Sequence, residues 1–144
     1  MYVGLYSRIG RADITAGRAF VAERGYVSTA EDIRRCRQDI LGETDDPSLA
    51  KITRLSDFYT TSECRDLLFH VQEHCLTLPQ IKNFLEDHEL DFLGFSQGPE
   101  LGARYRRMFP DDLSQTNLDY WHLFEAEHPD TFRGMYEFWI QKRP

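Results

Sequence analysis

Apolar residues recur along this chain in two rhythms: short unbroken runs, and spacings close to 3.6 residues. "MYVGLYS" is rich in aromatic and β-branched residues and predicts a strand over residues 2–6. "LDFLGF", residues 90–95, predicts a second short buried strand. "GMYEFWIQK", residues 134–142, closes the chain as a third, in which Phe138 and Ile140 alternate with Trp139 and Gln141 and so face a core.

The helical rhythm fills the rest. "RADITAGRAFVAERG" carries Ile14, Phe20 and Val21 on one side and stops at Gly25. "STAEDIRRCRQDIL" opens on a Ser28-x-x-Glu31 capping box and runs Ile33, Cys36, Ile40 and Leu41 as its apolar stripe. After the polar break "GETDDP", Asp46 and Pro47 start a short helix that turns Leu49, Ile52 and Leu55 inward. "SECRDLLFHVQEH" predicts a helix reaching about His74, with Cys64, Leu67, Leu68 and Val71 buried. "TLPQIKNFLEDHEL" restarts at a Thr77-x-x-Gln80 box with Ile81, Phe84 and Leu85 inward. "PELGARYRRMF" and "NLDYWHLFEAEH" complete the set, and Trp121 and Phe124 are core residues.

One strand, several helices, a strand, two helices and a strand describe an α/β fold, helix-rich, with about three strands, in a single domain over residues 1–144. No internal repeat and no low-complexity tract interrupts it. "YVGLY" is apolar on both faces, as a central parallel strand is. With nothing before it, it would lie at an edge, and an apolar edge invites pairing. The expectation is therefore self-association or a partner segment that covers it.

Composition narrows the classes. A hydrophobic share of 41% with 13% aromatics is enough for a core and excludes a disordered chain. A net charge of −7 argues against a nucleic-acid partner. The local exception, Arg104, Arg106 and Arg107, reads as a solvated helix face. Cys36, Cys64 and Cys75 are odd in number and form no C-x-x-C, so they are buried or half-buried thiols of a reducing compartment. No leader pattern and no apolar run of about 18 residues is present, which predicts a cytoplasmic protein without a membrane partner.

Candidate chemistry is sparse. His70, Glu73 and His74 spell H-x-x-E-H, which on a helix would set two histidines on one face with a general base between them. A third ligand is needed; Glu86, Glu125 and Glu127 are available, but no second motif selects one, so no metal site is assigned. Histidines near a helix C-terminus are favoured by the dipole in any case. In open α/β sheets, ligands bind beyond the carboxyl ends of strands. That places Tyr6 and Ser7, and then Phe95 and Ser96, on the substrate side. No spacing suggests a catalytic triad, and no catalytic residue is assigned.

The order "MYVGLYS", helix, "LDFLGF", "GMYEFWIQK" resembles the last third of a class I S-adenosylmethionine-dependent methyltransferase. The most specific part is "SECRDLLFHVQEHCLTLPQIKNFLEDHELDFLGF". It is similar to the segment after the core in bacterial methyltransferases that are sometimes fused to tetratricopeptide repeats. The resemblance covers nearly the whole chain. It implies a Rossmann-like sheet whose fifth and sixth strands are the first two here, with the last strand inserted antiparallel between them. It also implies that His70 lies on the substrate side. The family's glycine motif and the carboxylate that holds the cofactor ribose have no counterpart, because Gly4, Gly10 and the Gly94–Gly98 turn make no G-x-G-x-x-G before a helix. Cofactor-binding residues are thus unknown. The resemblance implies a substrate-facing C-terminal portion, inactive alone, that an N-terminal methyltransferase half carrying S-adenosylmethionine would complete. A second reading is a stand-alone, non-enzymatic helical interaction or regulatory module that kept the scaffold.

Overall fold

The computed structural model describes residues 1–43, 45–70 and 72–144. In chain order its elements are β1 (Tyr2–Ser7), α1 (Ala12–Glu23), α2 (Ala30–Gly42), α3 (Pro47–Ile52), a 3-10 turn (Ser56–Phe58), α4 (Thr61–Leu68), β2 (Cys75–Leu76), α5 (Leu78–Asp87), β3 (Leu90–Phe95), α6 (Pro99–Met108), α7 (Leu118–Glu127) and β4 (Tyr136–Lys142). They gather into two units: a sheet unit of Met1–Arg11 with His74–Pro144, and a helical unit of Ala12–Glu73.

The sheet unit has strand order β2-β1-β4-β3. β4 runs antiparallel to both β1 and β3, and β2 runs parallel to β1. β1 and β3 are therefore parallel, and their carboxyl ends share the edge at which β4 begins. The fold is α/β and helix-rich, as the pattern predicts, with a fourth strand added. That strand, β2, pairs only Tyr6 with Cys75 and Ser7 with Leu76, and Arg8 N–H donates to Leu76 C=O at 2.8 Å. Two residues carry no periodicity, so no sequence rhythm marks them. β3 carries a bulge between Phe92 and Gly94, where Gly94 adopts φ 126°. A left-handed backbone of this kind suits glycine alone.

One sheet face is covered and the other is open. Tyr136, Phe138 and Ile140 are buried, while Glu137, Trp139 and Gln141 between them are exposed. Leu78, Ile81 and Leu85 of α5, Tyr105 of α6, and Leu118, Trp121 and Phe124 of α7 join the covered face in one apolar cluster. Trp121 stacks on Tyr105 with ring centroids 3.9 Å apart and donates from Nε1 to Gln115 C=O at 2.8 Å. α5 has the predicted capping box. Phe84, predicted inward, is exposed and stacks on His88, because Leu78, Ile81 and Leu85 already complete the buried stripe. The loop before α7 is organised by Asp112, which accepts Tyr105 O–H at 2.6 Å and the N–H groups of Thr116 and Asn117. Burial opposes ionisation of this carboxyl, but the bonds it accepts outweigh that and hold it below its ordinary range.

The helical unit is built on Ile14 and Val21 of α1, Ile33, Cys36 and Ile40 of α2, Leu49 and Ile52 of α3, Phe58, and Cys64, Leu67 and Leu68 of α4. α2 is capped by Thr29, whose hydroxyl accepts Asp32 N–H at 3.3 Å, one residue later than the predicted box. Leu41 is 47% exposed rather than in the stripe, since Ile33, Cys36 and Ile40 already complete the buried side of α2. Burial pushes the Cys36 thiol up to about 12, and the Cys64 thiol upward too. Among the described residues, no helix is long and apolar enough to cross a membrane.

Candidate functional site

Side chains of β1 alternate, so Tyr2, Gly4 and Tyr6 share one face and Val3, Leu5 and Ser7 the other. This alternation sends Ser7 into the covered side at the carboxyl end of β1, where it is fully buried. There it meets Glu125 from α7 and Tyr136 from the first position of β4, both fully buried as well. Ser7 Oγ–H donates to Glu125 Oε1, and Tyr136 O–H donates to Glu125 Oε2 at 2.7 Å. Ser7 Oγ in turn accepts Gly10 N–H at 2.9 Å. Three segments far apart in sequence are joined through one carboxyl group.

Glycine at position 10 is required by this joint. A Cβ there would sit 2.8 Å from the Phe132 carbonyl carbon and 3.0 Å from Arg133 Cα, both backbone atoms. The turn after β1 therefore lies directly on the loop that leads into β4. Arg11 N–H closes the turn on Ser7 C=O at 2.9 Å, and the Arg11 guanidinium lies 4.5 Å over the Tyr6 ring.

Burial raises the Glu125 carboxyl above its ordinary range, while the Ser7 and Tyr136 hydroxyls and the charge of His122 pull it back. Burial likewise pushes the Tyr136 phenol upward. His122 stands one helical turn before Glu125, and its Nδ1 is buried without a hydrogen-bond partner among the described residues.

The substrate-side candidates occupy different surroundings. Tyr6 is half-buried beneath Arg11, and Ser7 is consumed by the joint. Phe95 is an aromatic hub against Trp121, Phe132, Tyr136 and Phe138. Ser96 is exposed, with its N–H donated to Glu137 C=O at 2.7 Å. These four share the carboxyl edge of the sheet; His70 is an exposed residue of the helical unit.

H-x-x-E-H is not on a helix. α4 ends at Leu68, six residues before the predicted end, and Val71 lies outside the described residues. The cause is Arg18 of α1, whose Nε donates to Leu67 C=O at 3.0 Å and whose Nη2 pairs with Glu73 Oε2 at 2.9 Å. The motif's acid is committed to a guanidinium, with 7% of its side chain exposed. Among the described residues, no three His, Cys, Asp or Glu side chains converge so as to hold an ion.

Glu125, Tyr136 and Gly10 were not predicted as a group. Only Glu125 left a trace: with Leu118 and Trp121 it keeps the i, i+3, i+7 spacing of a buried stripe, so an acid stands where the helix faces the core. No family model matches the chain, and no curated protein matches it.

Proposed function

We propose that this chain is the substrate-facing C-terminal portion of an S-adenosylmethionine-dependent methyltransferase. The observation that carries the reading is the strand order. β4 lies antiparallel between two parallel strands, the arrangement implied for the last strand of that family. Such a placement requires the chain to return past β3 and insert beside β1.

The described residues do not fit the cofactor. Gly10, the glycine of the turn after β1, spends its missing side chain on the Phe132 backbone rather than on a ligand. The buried carboxyl at that edge, Glu125, is taken by Ser7 and Tyr136. Cofactor binding and methyl transfer thus belong to an N-terminal half, and this chain contributes the edge that faces the methyl acceptor.

The seat for that half is the outer edge of β1. Met1 and Ile140 exchange both backbone hydrogen bonds, at 2.7 and 2.9 Å, which fixes Met1, Val3 and Leu5 as the residues bonded to β4. Tyr2 and Gly4 then point their N–H and C=O groups outward, beyond the two residues that β2 covers. Beside this edge lies a groove of about 410 Å3 lined by Met1, Val3, Leu5, Ile81, Phe84 and Leu85 among other apolar side chains. An added strand would bond to Tyr2 and Gly4 and fill the groove with alternate side chains.

Calorimetric titration tests the reading. The isolated chain should show no heat of binding with S-adenosylmethionine, and the chain joined to its N-terminal half should bind at micromolar concentration. Micromolar binding by the isolated chain would overturn the assignment.

A further inference from the structure

We propose that the cleft at the carboxyl end of β3 binds a small oxyanion, a carboxylate or a phosphate, with Arg106 as its counter-ion and the Gln97 and Gln115 amides as its hydrogen-bond partners. In the methyltransferase reading, on which only the occupant's role depends, that anion is part of the methyl acceptor.

The cleft has a volume of about 380 Å3, which suits a small molecule. It opens where β3 ends, the position at which α/β sheets take ligands. Gly94 and Gly98 keep it open, since nothing lies within 4 Å of the Cβ that either lacks. Leu93 and Phe95 give it an apolar side, and Gln97, Arg106, Ser114 and Gln115 a polar one. No acidic side chain is among the described residues that line it.

The chain as a whole carries a net charge of −7, so a cleft whose one charge is a guanidinium stands apart from its surface. Arg106 lies on the other side of α6 from Arg104, two residues being more than half a helical turn. Arg104 shares a second cleft with Glu100, Glu127 and Asp130, and Arg107 Nε donates to Ala103 C=O at 3.4 Å. Among the described residues, Arg106 forms no ion pair. A cation that meets no carboxylate inside a concave site favours an anion, and a guanidinium presents a fork of N–H donors that two oxygens accept at once.

Gln115 points to the same use. Its backbone is left-handed, at φ 57°, a conformation uncommon for a long side chain. Trp121 Nε1 donates to its C=O at 2.8 Å, and its own N–H donates to Asp112 C=O at 3.1 Å. Gly102 lets the amide lie against α6, because a Cβ there would sit 3.1 Å from Gln115 Oε1. The fold thus sets an amide in the cleft through a backbone conformation that Gly or Asn adopts more readily, and such strain collects at binding sites.

Nitrogen-15 NMR titrations of the whole chain test the proposal, with inorganic phosphate in one series, acetate in a second and tetramethylammonium chloride as the cationic control, all at one ionic strength. The expected result is a saturable shift of Arg106 Nε–H, of the Gln97 and Gln115 side-chain amides and of the Gly94 and Gly98 N–H groups with at least one anion, and none with tetramethylammonium. Saturation by phosphate alone assigns a phosphate, and by acetate alone a carboxylate. Arg106→Gln should weaken binding about tenfold, the loss of one charge-assisted contact. Gly98→Leu, which places a side chain in the open cleft, should abolish binding, and Arg104→Gln should leave it unchanged. Gly98, Arg104 and Arg106 are exposed, so these variants are expected to keep the fold. Absence of a saturable shift at these groups with both anions would overturn the proposal. So would an affinity that Arg106→Gln leaves intact, or that Arg104→Gln lowers as much. The methyltransferase reading fails separately, when the chain joined to its N-terminal half binds no S-adenosylmethionine.

Discussion

Gly10→Ala is expected to destabilise the sheet unit by about 3 kcal/mol, the upper part of the range for forcing an extra methyl into a packed site. The atoms it would strike, the Phe132 carbonyl carbon at 2.8 Å and Arg133 Cα at 3.0 Å, are backbone and cannot rotate away. Relief requires the turn to lift from the loop before β4, which breaks the bond from Gly10 N–H to Ser7 Oγ and tilts Ser7 away from Glu125. Gly134 is the control. Nothing lies within 4 Å of the Cβ it lacks, so Gly134→Ala should stay within about 0.5 kcal/mol of the parent. Urea denaturation of the two variants measures the contrast. Equal midpoints would mean that the turn is not seated as described.

Trp121→Ala is expected to cost about 3–5 kcal/mol, the usual range for deleting a large buried aromatic. Trp121 is 1% exposed and touches Tyr105, Phe95, Phe124 and Phe132. Its removal also leaves Gln115 C=O without the indole donor. Trp139→Ala supplies the comparison. That ring is half exposed on the open sheet face and meets Tyr2 at 5.1 Å, so its loss should cost less than about 1 kcal/mol. Denaturant midpoints of both variants check the ordering, and a larger cost for Trp139→Ala would contradict the assignment of covered and open faces.

What the sequence disclosed followed how local each determinant is. β3 and β4 are runs whose residues prefer extended backbone wherever they are placed, and they fall where the pattern predicts. The capping box at Thr77 is likewise contained within four residues and appears intact. The end of α4 was not legible, because it depends on Arg18, roughly fifty residues earlier, reaching Leu67 C=O and Glu73. β2 depends on register with β1, which two residues cannot announce. Tyr6, Ser7, Phe95 and Ser96 were reached through a rule about strand ends, and the structure sets them at one edge of the sheet. Glu125 was hidden because a glutamate on a helix normally faces water. Only its register with Leu118 and Trp121 sets it apart, and its partners Ser7 and Tyr136 come from strands that no local pattern ties to it.

The free edge of β1 matters beyond this chain. Val3 N–H is committed to β4, whereas the outward groups of Gly4 are open to a partner strand, so Gly4→Pro is the substitution that blocks strand addition with least damage to the sheet. Self-association of the isolated chain through this edge would be the same chemistry with a second copy in the seat.

The measurement that tests the central claim most directly is the reading frame upstream of the Met1 codon. An in-frame segment with a strand, a glycine-rich turn and a helix, followed by a second strand that ends in Asp or Glu, is the expected result. An in-frame stop codon just before Met1, behind a ribosome-binding sequence of its own, would contradict it and leave the stand-alone interaction module in its place.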